Sequence, residues 1–161
     1  MRKESAHSAD VASVDAIVRA LYESISFSPG GQPNYDRLRS LFHPGARLIP
    51  AKVEKNASIV VLEVDTFIIK SREYVVLAGQ ERTGFIEKEI SRRIDAFGNI
   101  VHVFSTYESD NGTGDPGSVQ RGINSIQLVH DEDRWWVLTI LWDVEKPARS
   151  IPPQYLPAVK S

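Results

Sequence analysis

The segment RWWVLTILWDVE, residues 134–145, decides the fold because it has the pattern of a β-strand that is apolar on both faces. Successive side chains of a strand point to opposite faces of the sheet. One row comprises Trp136, Leu138, Ile140 and Trp142, and the other comprises Trp135, Val137, Thr139 and Leu141. Since an antiparallel sheet in a small domain usually leaves one face in water, two apolar rows predict that both faces are covered.

Three more segments upstream show the same period of two and predict strands. With the segment above they cover about 83–96, 100–109, 119–130 and 134–145. A tight turn at Phe97-Gly98-Asn99, a polar loop over 110–118 and a turn at 131–133 separate them. Short connections of this kind join antiparallel neighbours, so we expect four long strands in one antiparallel sheet.

The first half of the chain has helical periodicity. A helix capped by Ser8 or Asp10 and ending near Ile25 is predicted, then a loop over 28–33 and a short helix over 34–42. Two short strands are expected at 46–50 and 58–64, the second because of its β-branched residues. A third helix should begin at Asp65 or Thr66 and end at Gly79.

Helices followed by a run of long strands indicate an α+β fold. We expect a cone: a curved, mainly antiparallel sheet of about five or six strands, with three N-terminal helices packed on its concave face. The domain should cover residues 10–145. Residues 1–9 are predicted to be a flexible tail, and residues 146–161, with four prolines, a tail along the surface. The outer face would then bind a second copy of the chain, or else the proline-rich tail would cover it.

Composition excludes several classes of function. A net charge of -2 argues against a nucleic-acid partner. The absence of cysteine excludes disulfides and thiolate sites. No apolar run reaches the roughly 20 residues that span a bilayer, so no membrane partner is expected. The polar N-terminus lacks a signal-peptide pattern, and a cytoplasmic location is expected.

Three stretches resemble one family. They are LFHPGARL at 41–48, RGINSIQL at 121–128 with the hairpin partner RWWV at 134–137, and IPPQYL at 151–156. Together with the order of elements, they resemble the nuclear transport factor 2-like superfamily over residues 10–156. That superfamily includes ketosteroid isomerases, scytalone dehydratase and SnoaL-like polyketide cyclases. The resemblance implies the cone fold, but it implies little about chemistry because the fold hosts enzymes, binding modules and transport adaptors.

Position by position, the resemblance suggests two catalytic candidates. Tyr22 falls near the tyrosine with which ketosteroid isomerases donate to an oxyanion, and Asn124 falls near their protonated aspartate. The expected position of the general base is Pro50, which cannot move a proton, and no carboxylate lies between Ala46 and Lys52. The sequence therefore argues against ketosteroid-isomerase chemistry and names no base.

The expected ligand is a compact, mainly apolar molecule bound in the cone without a cofactor. Its predicted contacts are Tyr22, Leu48, Val103, Ser105, Tyr107, Asn124, Leu138 and Trp142. The leading hypothesis is a small-molecule-binding protein or cofactor-independent enzyme of SnoaL-like type. The alternative is a non-catalytic, dimeric interaction module whose cone is filled by its own side chains.

Two further groups could carry chemistry. Glu87 and Glu89 lie two residues apart on one strand face, which Ser91, Arg93 and Asp95 are expected to continue. Two carboxylates can act as acid and base, but mixed charges on one face are more typical of a solvated surface, and we favour that interpretation. The four histidines His7, His43, His102 and His130 have no ligand spacing, so no metal site is expected.

Overall fold

The computed structural model describes residues 5–52 and 54–159, and it confirms the α+β cone. The helices are α1 (Ser8–Val11), α2 (Val14–Ile25), α3 (Tyr35–Leu41), α4 (Val64–Leu77) and α5 (Gln80–Thr83). The strands are β1 (Phe42–Ile49), β2 (Ile86–Phe97), β3 (Ile100–Asp110), β4 (Val119–Asp131) and β5 (Arg134–Val144). A short 3-10 turn, Pro153–Tyr155, follows in the tail. No helix in the described ranges is long and apolar enough to cross a membrane.

The five strands form one sheet in the order β1-β5-β4-β3-β2. β2 to β5 are antiparallel neighbours, and β1 pairs in parallel with β5 at one edge. The strand expected at 58–64 does not form: its one ladder contact is the bridge between Leu62 and Leu48. Ile59 and Val61 are 70% and 57% exposed. The preference of β-branched residues for strands depends on packing against neighbouring side chains, and these residues have no face to pack on. This explains why the predicted strand is absent.

The first predicted helix is divided in two. Ser13 adopts an extended backbone conformation and its side chain accepts a hydrogen bond from the Ala16 N–H at 3.1 Å. A serine in this geometry is a helix N-cap. The single helix expected from Ser8 or Asp10 is therefore α1, a short break at residues 12–13, and α2.

The core lies between α2, α3 and α4 and the concave face of the sheet. α2 contributes Ile17 and Val18, which are fully buried. Opposite them, Val103, Ile126 and Val137 come from three adjacent strands and are also fully buried. These contacts confirm the prediction that helices cover one face.

A β-bulge in β5 changes which of its residues face the core. Val137 pairs with Leu128, whereas Thr139 pairs with Gln127, so Leu138 is an extra residue between them. Leu138 is 39% exposed, and the expectation that it points into the cone is wrong. Period-two counting fails here because a bulge shifts the facing of the residues before it relative to those after it.

The same bulge reverses the two adjacent tryptophans. Trp135 packs against the core cluster, together with Trp142. Trp136 instead lies with the guanidinium of Arg134, whose Cζ is 3.4 Å from the centre of the indole ring. The prediction that Trp136 and Trp142 share a row is therefore wrong.

The C-terminal tail crosses part of the outer face of the sheet. The Thr106 hydroxyl on β3 donates to the Tyr155 carbonyl at 2.7 Å, and the rings of Phe104 and Tyr155 meet edge to face at 5.0 Å. Thr106 is buried as a result, although it points away from the cone. The tail thus provides the cover for this part of the face; the predicted second copy stays a prediction.

Candidate functional site

A polar cluster forms inside the cone where α2 meets β3 and β4. The Tyr22 hydroxyl and the Ser105 hydroxyl, 83 residues apart in the chain, are separated by 2.7 Å. The Asn124 side-chain amide donates to the Tyr22 hydroxyl at 3.0 Å. Ser105 and Asn124 are cross-strand partners, and Tyr22 lies on the buried face of α2. The structure therefore brings three of the predicted contact residues together.

β2 adds two carboxylates to this cluster. Glu87 pairs with Ser109 and Glu89 pairs with Tyr107, so both carboxylates lie on the inner face of the sheet. The preferred interpretation of a solvated surface is wrong for them, because the side chain of Glu89 is 18% exposed and Glu87 is also half-buried. The alternative, a pair of carboxylates at an acid–base site, is consistent with these positions.

A second bulge, at Ile90, then brings a cation to the same face. Glu89 pairs with Tyr107 and Ser91 with Thr106, so Ile90 has no partner and Arg92 comes to lie opposite Ser105. The expectation that Ser91, Arg93 and Asp95 continue the glutamate face is wrong for this reason. Arg93 lies instead over the ring of Tyr155 on the outer face, with its Cζ at 5.8 Å from the ring centre.

Glu89 is held at both carboxylate oxygens. Arg92 donates to Oε1, with Nε at 2.7 Å and Nη2 at 2.6 Å, and Arg92 also pairs with Asp15 of α2. The Ser105 hydroxyl donates to Oε2. Glu89 is therefore an ion-paired, acceptor-only carboxylate, and it anchors one end of the polar cluster.

Glu87 has a different environment. Its Oε1 lies 3.5 Å from the Asn124 amide nitrogen, at the outer limit of a hydrogen bond. Within the described ranges, no lysine or arginine forms an ion pair with it. Burial raises the pKa of Glu87 to about 7, and the Asn124 amide only partly opposes this rise. At neutral pH, this carboxyl group is therefore present in both protonation states.

The backbone at Glu87 is fixed by Ser26, the residue that follows α2. The Ser26 hydroxyl accepts from the Glu87 N–H and donates to the Glu87 carbonyl, both at 3.0 Å. The Tyr22 carbonyl accepts the same hydroxyl hydrogen at 2.8 Å, so the two carbonyls share it. This link sets the distance between the end of α2 and β2, and so places Glu87 beside Tyr22 and Asn124.

Tyr107 is a further polar residue beside this cluster. Burial raises its pKa, as does the negative charge of Glu87. Its hydroxyl lies against Gly122 on β4, where an added Cβ atom would collide with it. A glycine is required at this position because the tyrosine ring crosses directly over the neighbouring strand.

The other predicted ligand contacts lie either in the apolar core cluster or on the outside of the domain. Leu48 and Val103 are buried in the core cluster, and Trp142 packs against it with its ring 6.0 Å from that of Phe67. Leu138 lies outside, as described. Pro50 follows the end of β1, so the carboxylate of this cone comes from β2 and not from the position that the family resemblance suggests.

Sequence reasoning noticed Glu87 but misjudged it. Its inward position depends on the bulge at Ile90, because unbroken pairing from the hairpin at Phe97–Asn99 would set Glu87 opposite Asp110 on the outer face, so spacing along the chain did not reveal it. In the described part of the chain, no three His, Cys, Asp or Glu side chains are grouped as metal ligands.

Surface cavities lie around the cone. One of about 370 Å³ is bounded by Phe27, Pro29 and Phe85 and reaches Ser109, the cross-strand partner of Glu87. Another of about 370 Å³ lies between the outer face and the tail, lined by Ile123, Leu141 and Ile151 among others. The first is therefore an open space at the end of the sheet that carries Glu87.

Comparison with known proteins defines the class of fold. The structure is similar to an NTF2-like protein of unknown function from Silicibacter pomeroyi, at 14% identity and a TM-score of 0.55, over 83% of this chain and 94% of that one. It is also similar to an uncharacterised protein with a cystatin-like fold from Caulobacter vibrioides, at 11% identity and a TM-score of 0.61, over 84% and 89% of the two chains.

A third similar structure is a putative Ca/calmodulin-dependent kinase II association domain from Exiguobacterium sibiricum, at 11% identity and a TM-score of 0.56, over 83% and 92% of the chains. The predicted NTF2-like cone is thus confirmed as the fold of this protein. No protein-family model and no curated protein sequence matches the chain.

Proposed function

We propose that this protein binds a compact, mainly apolar molecule in its cone and exchanges a proton with it through Glu87, without a cofactor. The observation that carries the proposal is the position of Glu87: an inward-facing carboxyl group with an amide neighbour and no cationic partner in the described structure. A carboxyl group that serves in a structural ion pair has a cationic partner beside it, unlike Glu87. Enzymes that transfer protons place a base in such surroundings.

The chemistry follows from the two protonation states of Glu87. As a carboxylate, it removes a proton from a weakly acidic C–H or O–H group of the ligand; as the resulting acid, it returns the proton to another atom. A base whose pKa lies near the working pH combines availability with driving force. The step needs no oxidant, and this is SnoaL-like, cofactor-independent chemistry in the broad sense.

The walls of the cone indicate the ligand. Val103, Ile126 and Leu48 are buried in the apolar core beside the polar cluster, and the aromatic ring of Trp142 packs against that core. Asn124 and Tyr107 provide polar atoms beside Glu87. A small, uncharged molecule with one or two polar groups matches this distribution. We expect it to approach Glu87 from the cavity beside Pro29 and Ser109.

Two measurements test this proposal. The first is native mass spectrometry of freshly purified protein, which should show a bound small molecule. The second is proton NMR of neutral cyclic ketones in deuterated water, where the wild type should accelerate exchange of the hydrogens next to the carbonyl. Glu87→Gln should abolish exchange, while Glu63→Gln, which changes an exposed glutamate on the other side of the domain, should retain it. Absence of both a bound species and exchange would remove the proposal.

The non-catalytic alternative has support of its own. The cone is partly filled by the bonded side chains of Tyr22 and Ser105, and the outer face keeps Leu141 40% exposed beside a groove. In this alternative the protein is a homodimer that contacts its partner through the outer sheet face. Light scattering at micromolar concentration discriminates: a particle of 18 kDa would contradict a dimer.

A further inference from the structure

A continuous chain of hydrogen bonds runs from the surface of the cone to Asn124, the amide neighbour of Glu87. It begins at Arg92, passes through Glu89, Ser105 and Tyr22, and ends at Asn124. Four elements contribute to it, namely β2, β3, α2 and β4. Every member except Arg92 and Glu89 has a hydroxyl or amide group that can both donate and accept, so these groups by themselves allow the chain to run in either direction.

The ion pair determines the direction. Arg92 occupies Oε1 of Glu89, and an ionised carboxylate can only accept, so the Ser105 hydroxyl must donate its hydrogen to Oε2. Ser105 then has only lone pairs for Tyr22, and the Tyr22 hydroxyl must donate to it. The Tyr22 oxygen in turn accepts from the Asn124 amide, whose nitrogen also faces Glu87.

We propose that Glu89 is a positioning residue: its ion pair with Arg92 directs the hydrogen bonds through Ser105 and Tyr22 so that Asn124 turns its N–H group, and not its carbonyl, toward Glu87. This inference rests on the proposed role of Glu87 and deepens it. The Tyr22 hydrogen is kept away from the ligand, and Glu87 is left as the group that exchanges a proton.

Glu89→Gln provides the test because it is nearly isosteric. The carbonyl oxygen of the substituted side chain stays with Arg92, so its amide nitrogen faces Ser105 and donates. Ser105 must now donate to Tyr22, and Tyr22 must donate to Asn124. The Asn124 side chain then rotates its carbonyl oxygen toward Tyr22 and Glu87, where it disfavours the Glu87 carboxylate and strengthens proton binding.

Loss of the negative charge of Glu89 by itself weakens proton binding at Glu87, which opposes the effect of the reversed hydrogen bonds. A double-mutant cycle separates these two effects. The Glu87 pKa is measured by carbon-13 NMR titration in the ligand-free wild type, Glu89→Gln, Ser105→Ala and the double variant. Losing the Glu89 charge affects Glu87 equally with and without the Ser105 hydroxyl, whereas the reversal of the hydrogen-bond chain requires that hydroxyl. In each background, Glu89→Gln multiplies the proton-binding constant of Glu87 by some factor. We expect that factor to be at least about threefold larger when Ser105 is present than when it is replaced by alanine. Equal effects in the two backgrounds would overturn the proposal.

The titration must consider every group that faces Glu87. These are Tyr22 of α2, Glu89 and Arg92 of β2, Tyr107 of β3, and Asn124 of β4. Tyr22 and Tyr107 have raised pKa values and stay neutral over the range in which Glu87 titrates. Among these groups Glu89 and Arg92 are charged, and Glu89→Gln changes that charge identically in both arms of the cycle.

Neutron diffraction of the deuterated wild type gives a second measurement that does not depend on the folding of variants. The expected deuterium positions are on Ser105 Oγ toward Glu89 and on Tyr22 Oη toward Ser105. A deuterium on Tyr22 that points to Asn124 would contradict the inference. Both measurements use ligand-free protein. A failure here leaves proton exchange by Glu87 untouched, and a failure to bind or exchange would leave the hydrogen-bond direction untouched.

Discussion

The two faces of the sheet are closed in different ways. The inner face is covered by three helices, and its residues Val103, Ile126 and Val137 are fully buried. Among the described residues the outer face is covered by the C-terminal tail, and Leu141 keeps 40% of its surface exposed. The inner face therefore contributes most of the stability of the domain. A polar group buried within it is removed from water. The outer face is free to change or to bind.

The largest expected effect is the loss of an inner core residue. Ile126→Ala should lower the free energy of unfolding by about 2–5 kcal/mol, because it removes buried methylenes and leaves a cavity. Ile123→Ala, three positions earlier on the outer face, is the matched control and should cost less than half as much. Urea unfolding followed by tryptophan fluorescence measures both. Equal losses would contradict the difference between the faces.

The inner face should also produce a pH dependence through Glu87. The pKa of Glu87 is about 7 in the folded protein and near 4.5 when unfolded, so the folded state binds more protons between these values. Stability therefore falls as the pH rises from 5 to 8, and Glu87→Gln removes this loss. Relative to the wild type, the variant should gain about 2–3 kcal/mol over that range. Parallel pH profiles would exclude a desolvated Glu87.

A third test concerns the close contact between β3 and β4. Gly122→Ala introduces a methyl group against the Tyr107 hydroxyl. Overpacking of this kind should cost about 1–3 kcal/mol and displace the tyrosine ring. The double variant with Tyr107→Phe should recover only part of the loss, since the hydroxyl oxygen is gone while the ring carbon Cζ and the Asp143 carbonyl oxygen still crowd the methyl group. Thermal denaturation of the four proteins checks this; no recovery would mean that the backbone, not the hydroxyl, limits the space.

The smallest effect is expected on the outer face. Tyr155→Ala removes the edge-to-face contact with Phe104 and should cost about 1 kcal/mol. Hydrogen exchange should show the tail detaching, with little change in the amides of β3. Tyr74→Ala, at an exposed tyrosine of α4, is the control and should change stability by less than about 0.5 kcal/mol. If the two variants are alike, the tail does not hold the outer face.

Local sequence patterns are strongest where a strand pairs without interruption. The period of two correctly identified β3 and β4, where Val103 and Ser105 alternate with exposed or tail-covered residues and no bulge intervenes. The helical stripe around Ile17 and Tyr22 was equally readable. The family resemblance added Asn124, which the structure places at 3.0 Å from Tyr22. Three members of the polar cluster were therefore predicted, Ser105 from the period of two and Tyr22 and Asn124 from the family resemblance.

Most of the errors come from two β-bulges. The bulges at Ile90 and Leu138 depend on how each strand pairs with its neighbour, and strict alternation cannot reveal an unpaired residue. They misplaced Arg92, Leu138 and Trp136. The 58–64 strand failed because local β propensity has no effect without an apolar surface to pack on.

The sequence by itself determined the class of the fold, because the periods of hydrophobic residues are local properties that select helix or strand. Only the tertiary structure decided what Glu87 and Glu89 are. Two residues apart in the chain, they differ because Arg92 pairs with Glu89 and not with Glu87, and because Glu87 is desolvated by burial inside the cone. Desolvation and ion pairing depend on neighbours distant in the chain, so no local pattern could assign them.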